Sequence, residues 1–304
     1  MQPTVSASHP VRVLEIGGSH VTAGSVEFTG TDHRILDRQR HPLDPAQDAH
    51  TIVDALAEAA KRLVPSPGDR WAVAVPGPFD YVAGVSLHEG VSKFDQLHGA
   101  NLREALAAAI PAEPSAFTFV NDADAFLLGE WVDGAASGTR RAVAITLGTG
   151  IGSSWLADGE IVSTGPDVPL DGEIHFCDVN GVPIEDLVSD RALVRGYLAR
   201  TGTTVDGMRE LAARARGGDR DAHEVIDTAF GILGRLLTEW LGRFGAEVVV
   251  VGGSMTGAWD LIEPALALPV PARPVSDTER SALLGAAFAG LGSRPDAGRD
   301  ATTV

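Results

Sequence analysis

VRVLEIGGSHVTAGSVEF, residues 11–28, decides the fold. Val11, Val13 and Ile16 give an apolar strand that ends in the pair Gly17-Gly18, and HVTAGSVEF then reads as a second strand turning back on the first. The same device recurs at RAVAITLGTGIGSSWLADGEIV, residues 141–162: an apolar strand, a glycine corner, a second strand, and a turn at Asp158-Gly159. A third corner closes EVVVVGGSMTG, residues 247–257, whose four consecutive valines predict a strand buried on both faces. Glycines at such corners let backbone N–H groups approach an anion that a Cβ would keep away, and hydroxyls from Ser19 and Thr149 add donors. The candidate phosphate-binding residues are therefore Gly17, Gly18 and Ser19, then Gly148, Thr149 and Gly150, then Gly252, Gly253 and Ser254. Taken singly these corners are weak signals, and none matches a P-loop or a clean dinucleotide fingerprint.

Composition bounds the partners. The chain has 304 residues, 44% hydrophobic, enough for one large or two medium domains. It carries 41 acidic against 24 basic residues, a net charge of −17, and lysine occurs only at Lys61 and Lys93. Such a surface repels nucleic acid and anionic membrane, so neither is expected as a partner and a small ligand fits better. Cys177 is the single cysteine, which excludes an internal disulfide and a cysteine-built zinc site and points to the cytoplasm. The N-terminus lacks the pattern of a signal peptide, and no apolar run is long enough to span a bilayer.

Between the corners, residues 49–64 carry helical spacing, WAVAVPGP at 71–78 reads as a strand, and an amphipathic helix is expected from Asn101 to Ile110. Helical patterns fill 189–244, broken at RGGDRDA, residues 216–222. SALLGAAFAGL, residues 281–291, predicts a terminal helix, and residues 293–304 form a polar tail with no packing signal. One segment asks a question of its own. In TFVNDADAFLLGEW, residues 118–131, three strand formers run straight into Asn121, Asp122 and Asp124, followed by apolar residues at helical spacing. A single such residue suffices to cap a helix, and sheet-end loops commonly carry function in α/β proteins.

Taken in order, EIGGSHVTAG, VPGPFDYVAG, NDADAFLLGEW, LGTGIGSSWLADGEI, VVVVGGSMTG and ALLGAA resemble the ROK family of sugar kinases, within the actin-like ATPase superfamily, over roughly residues 11–290. The resemblance implies an α/β fold of the actin-like ATPase (ribonuclease H-like) type, two lobes with a cleft between them. Residues 1–120 would form the N-terminal lobe, with the first phosphate loop and part of the sugar site. Residues 121–304 would form the C-terminal lobe, with the catalytic corner and the second phosphate and adenosine loops, the terminal helix returning to the first lobe. It also implies Asp122 as general base toward a sugar hydroxyl and Asn121 as holder of a neighbouring hydroxyl, with Asp124, where the family has a second asparagine, left to cap the helix. Glu173, and Glu185 with Ser189 four positions on, match the family's glutamates that accept hydrogen bonds from the substrate.

This sequence departs from the family pattern in four places. Only ten positions separate His175 from Glu185, too few for the family's cysteine-rich zinc loop, so no zinc is expected. GEIHF stands where G-E-x-G-H is usual: His175 takes the histidine's place if one residue is deleted, Phe176 if none is. Glu15 replaces the aspartate that organises magnesium; its longer reach shifts the ion or requires a bridging water. In VSLHEGVSKFDQLHGANL, residues 85–102, the chain offers His88, Glu89 and Lys93 where many relatives grip the sugar with an asparagine. These form either a polar loop or, with Glu89 as a substrate ligand, a pocket for an amino sugar or carbocyclic sugar mimic.

The resulting expectation is an ATP-dependent, Mg²⁺-using kinase acting on a primary hydroxyl of a hexose or hexose-like substrate (glucose, an amino sugar or a C7-cyclitol). The family also implies a homodimer, with Trp240 and Phe244 as candidate interface residues. A polyphosphate-using glucokinase and a non-catalytic sugar sensor are the alternatives. A DNA-binding repressor of the same family is not expected, because the first phosphate loop starts at Glu15 and the charge is −17.

Overall fold

The computed structural model describes residues 5–6, 9–30, 32–90 and 93–292. The chain divides into two compact units: residues up to Gly129 with those from Ala282 onward, and Glu130–Ser281. The division thus falls nine residues beyond the boundary at 120 suggested by the motifs, and the NDADAFLLGEW corner belongs with the first unit up to Gly129. The polar tail at 293–304 lies outside the described residues.

In the first unit, β2 (Val11–Ile16) and β3 (His20–Gly30) form the expected antiparallel hairpin, with Leu14 opposite Ala23 and Ile16 opposite Val21. The short β1 (Val5–Ser6) pairs with the far end of β3. On its other edge β2 is joined in parallel by β5 (Arg70–Val75), which carries β8 (Phe117–Asn121), also parallel. β4 (Asp32–Pro42) pairs antiparallel with β3. Sequence reasoning missed it because DHRILDRQRHP has no apolar stripe; its side chains alternate between half-buried and exposed, and charges on an edge strand discourage pairing with another chain. Two short strands, β6 (Phe79–Asp80) and β7 (Val85–Ser86), form a separate ribbon.

Two helices cover one face of this sheet. α1 (Ala49–Lys61) is capped by Asp48, which accepts from Thr51 N, and α2 (Leu102–Ala109) by Asn101, which accepts from Glu104 N. Leu56, Leu102 and Leu106 join Leu14, Trp71, Val73 and Phe119 in one buried cluster. α3 (Asp122–Asp133) leaves β8 directly and meets α9 (Thr278–Gly292). The crossing is close enough that a Cβ on Gly285 would fall 1.8 Å from Ala125 O and 2.5 Å from Gly129 N.

The second unit repeats the plan. β9 (Arg141–Leu147) and β10 (Ile151–Ala157) form an antiparallel hairpin, β11 (Glu160–Ile161) extends it, and β14 (Val248–Gly252) joins β9 in parallel, followed by β15 (Ala272–Pro274). Each sheet therefore has a first strand flanked by an antiparallel successor and a parallel later strand. A small ribbon, β12 (Asp178–Val179) with β13 (Val182–Pro183), precedes the one-turn helix α4 (Glu185–Val188). The helical stretch then has two breaks. α5 (Asp190–Thr201) ends at Gly202, whose φ of 71° forms a left-handed cap that the apolar pattern did not reveal. α6 (Gly207–Arg216) and α7 (Arg220–Phe244) flank the expected break. α8 (Trp259–Leu266), also unforeseen, packs on α7, where a Cβ on Gly234 would fall 2.0 Å from Leu266 O. Phe244, a candidate for a subunit interface, is 2% exposed and lies edge-on to Trp155 at 5.2 Å, in the core of this unit.

Two glycine substitutions separate packing from propensity. Gly285→Ala gains about 1 kcal/mol of helix propensity but forces α3 and α9 apart, so a net loss of about 2 kcal/mol or more is expected in chemical denaturation. Gly242→Ala, at an exposed helical position with nothing within 4 Å, should stabilise by about 0.5–1 kcal/mol.

Candidate active site

In the first unit, candidate site residues lie at the C-terminal ends of β2 and β8. Gly17 N donates to His20 O at 2.8 Å, closing a tight corner that leaves Gly18 and Ser19 exposed. The His20 ring lies against Gly17, its Cε1 3.0 Å from where a Cβ would be. Glu15 is the penultimate residue of β2, opposite Thr22 and Ala74. Its Oε2 is shielded from solvent, and a carboxylate oxygen is the kind of hard donor that Mg²⁺ would take.

At the β8–α3 junction the three polar residues divide their work. Asn121 Oδ1 accepts from Ala123 N at 2.8 Å and from Asp124 N at 3.2 Å, which makes Asn121 the helix cap. Its Nδ2 donates to Tyr81 Oη at 3.0 Å, and Tyr81 donates to Val75 O at 3.2 Å. Asn121 thus takes a capping role that the sequence reading assigns to Asp124. Asp122 is half-buried in the first turn, where one oxygen accepts from Ala123 N at 2.9 Å and the helix dipole favours a negative charge. Tyr81, which fixes Asn121, was missed; VPGPFDYVAG marks the segment but does not say where the phenol points.

In the 85–102 loop, His88 is 2% exposed and its Nδ1 lies 2.8 Å from Ser86 Oγ. Burial pushes its pKa below the ordinary value against the opposing pull of the Pro76 backbone and Asp95. Glu89 is exposed.

In the second unit, candidate site residues lie at the corner after β9. Gly148 N donates to Gly150 O at 3.0 Å, and Asp190 N donates to Gly148 O at 3.1 Å, so α5 begins on the corner itself. A Cβ on Gly150 would fall 2.8 Å from Glu185 Oε2, and one on Gly148 would lie 3.4 Å from Ser254 Oγ. The second and third corners are thus neighbours. Gly253, with φ 94°, is confined to glycine, because a Cβ there would strike Leu147 O at 2.3 Å.

Beside this corner Glu173, His175 and Glu185 come together. His175 Nδ1 lies 3.3 Å from Glu173 Oε2, while Glu185 faces Ile151 N at 3.5 Å and Arg191 at 3.4 Å. Phe176 is 54% exposed, its ring 4.1 Å from that of His175. Two carboxylates and an imidazole at one half-exposed spot can accept from and donate to several hydroxyls of one small polyol. Among the described residues no group of three or more His, Cys, Asp or Glu side chains is arranged to hold a metal ion, and no helix is long and apolar enough to cross a membrane.

A family model described as the ROK family matches residues 12–282. The glucokinase of Thermotoga maritima is 27% identical over 276 residues, 82% of this chain and 83% of its own. The N-acetylmannosamine kinase of Escherichia coli is 26% identical over 258 residues, 80% and 82% of the two chains. Among solved structures, a ROK hexokinase from Thermus thermophilus superposes with a TM-score of 0.75 at 25% identity, over 92% of this chain and 97% of that one. The duplicated mixed sheets are those of the actin-like ATPase fold. The chain belongs to the ROK family, and by class it is a sugar kinase.

The Glu173 hydrogen bond raises the His175 pKa above its ordinary 6.5, against burial and aided by the charges of Glu173 and Glu185. The stabilisation from the protonated ring is therefore complete below pH 6.5 and lost as pH rises through the elevated folded value. In thermal melts from about pH 5 to 9, the advantage of wild type over Glu173→Gln should be largest at the acid end and shrink on going alkaline.

Proposed function

We propose that the protein transfers the terminal phosphoryl of ATP to a primary hydroxyl of a hexose, an amino sugar or a hexose-like C7-cyclitol. The observation that carries this reading is the meeting of Glu173, His175 and Glu185 beside the glycine corner at Gly148–Gly150. These three residues are assigned to the substrate's ring hydroxyls, with Asn121 and Glu89 as further substrate contacts.

Asp122 is the base. The acceptor oxygen attacks the terminal phosphorus, the bond to the bridging oxygen breaks with its electron pair leaving on ADP, and the hydroxyl proton passes to the Asp122 carboxylate. Phosphoryl transfer has a loose transition state, so the protein's task is positioning and charge stabilisation. Backbone N–H groups at Gly17–Ser19 and Gly148–Gly150 serve the phosphates, and the Gly252–Ser254 corner serves the nucleoside. Glu15 would hold Mg²⁺ through water, and the ion would offset charge on the phosphates. No zinc has a role in this scheme.

The enzyme is assigned to the cytoplasm and to a homodimer. The sequence similarity to both a glucokinase and an N-acetylmannosamine kinase keeps neutral and amino sugars on one panel of substrates. ADP release measured over sugars and cyclitols identifies the acceptor. With that acceptor, Asp122→Asn should lower kcat by about 10²–10⁴ while AMPPNP binding stays near wild type. Undiminished turnover in this variant would remove Asp122 from the role of base.

A further inference from the structure

The two lysines of the chain are placed differently. Lys61 ends α1 and pairs with Glu58 at 2.9 Å on the surface. Lys93 runs to the first glycine corner: its Nζ lies 2.8 Å, its Cε 3.4 Å and its Cδ 3.6 Å from where a Cβ on Gly18 would stand.

The approach is fixed from behind. Phe94 is 2% exposed, has a left-handed φ of 61°, and donates its N–H to Pro45 O at 3.0 Å. Its ring meets the buried His88 edge-on at 5.5 Å, and His88 is itself joined to Ser86. The corner is tied to the same segment, because Leu43 N donates to Ser19 O at 3.0 Å. Residues 43–45 therefore hold both the root of Lys93 and the loop it reaches. On the far flank Arg40 Nη2 lies 3.0 Å from His20 Nδ1, so a second cation stands at this corner.

We propose that Lys93 is a phosphate-contacting residue of the first corner, its ammonium engaging the phosphoryl group as it passes from nucleotide to acceptor. This rests on the kinase reading above. An ammonium is a compact charge with three donors, and a charge-assisted hydrogen bond is roughly twice as strong as the neutral ones that Gly18 and Ser19 can give. The negative charge on the transferred group is spread over three oxygens, and a fixed cation beside them stabilises the transition state without reorganisation. The loop that departs from the family pattern at 85–102 then acts at the phosphate end of the site through Lys93, with His88 and Phe94 as the base on which it stands.

The test uses Lys93→Met and Lys93→Arg in the full chain, with thermal melting as the check on folding. Lys93→Met should weaken AMPPNP and tripolyphosphate binding by about tenfold or more, leave adenosine binding unchanged, and lower kcat by about 10². Lys93→Arg should recover most of the AMPPNP affinity and part of kcat. Lys93→Met binding AMPPNP as tightly as wild type, or losing adenosine and AMPPNP equally, would overturn the proposal. A wild-type protein that phosphorylates no sugar or cyclitol defeats the kinase reading instead; the AMPPNP and tripolyphosphate comparison still decides Lys93, and wild type binding neither anion counts against it.

Discussion

Each sheet is built around one strand that has neighbours on both edges and is buried along most of its length: β2 between β3 and β5, β9 between β10 and β14. Its successor must return antiparallel at once, so the chain reverses within a few residues at the end of a packed strand. Bulky side chains have no room there. A Cβ on Gly253 would meet Leu147 O, and one on Gly150 would meet the Glu185 carboxylate. The corners are consequently made largely of glycine backbone, and N–H groups that carry no Cβ of their own can donate to an anion. Packing in the sheet thus leaves glycine backbone at the carboxyl ends of strands, where open α/β sheets commonly bind ligands.

The β8–α3 junction solves a different problem. A helix that begins directly on a strand leaves its first N–H groups without partners in the helix. Asn121 takes two of these donors while its amide is held by Tyr81. Asp122 Oδ1 shares the Ala123 N–H with Asn121. The density of short polar residues at 121–124 thus includes one residue, Asn121, that caps the helix.

Much of this could be read in advance, because corners and buried strands have local signatures: paired glycines, four consecutive valines, and Asn101 ahead of an amphipathic turn. Other features depend on distant partners. β4 is specified by pairing with β3 and not by its own polar sequence. Gly202 ends α5 because it adopts a left-handed conformation, which an apolar stripe cannot reveal. Phe244 reads as a possible surface aromatic until Trp155 is set against it. The unit boundary at Gly129 follows from the fit of α3 against α9 around Gly285, two segments far apart in the chain. At the site, the roles of Tyr81 and Lys93 were hidden for the same reason: each acts on a loop tens of residues away.

Charge brings these observations together. A chain of net −17 repels any nucleotide at long range, so binding must come from local groups at short range. Many arginines are committed elsewhere: Arg140 to Asp158, Arg200 to Asp221 and Glu224, Arg214 to Glu210, Arg216 to Asp260, and Arg280 to Asp133. Such exposed pairs add little stability, but they neutralise cations that would otherwise attract a long polyanion. A polyphosphate chain needs a continuous basic track, whereas a nucleotide needs positive character only where its phosphates end. The glycine corners and the ammonium proposed above offer positive character of the second kind.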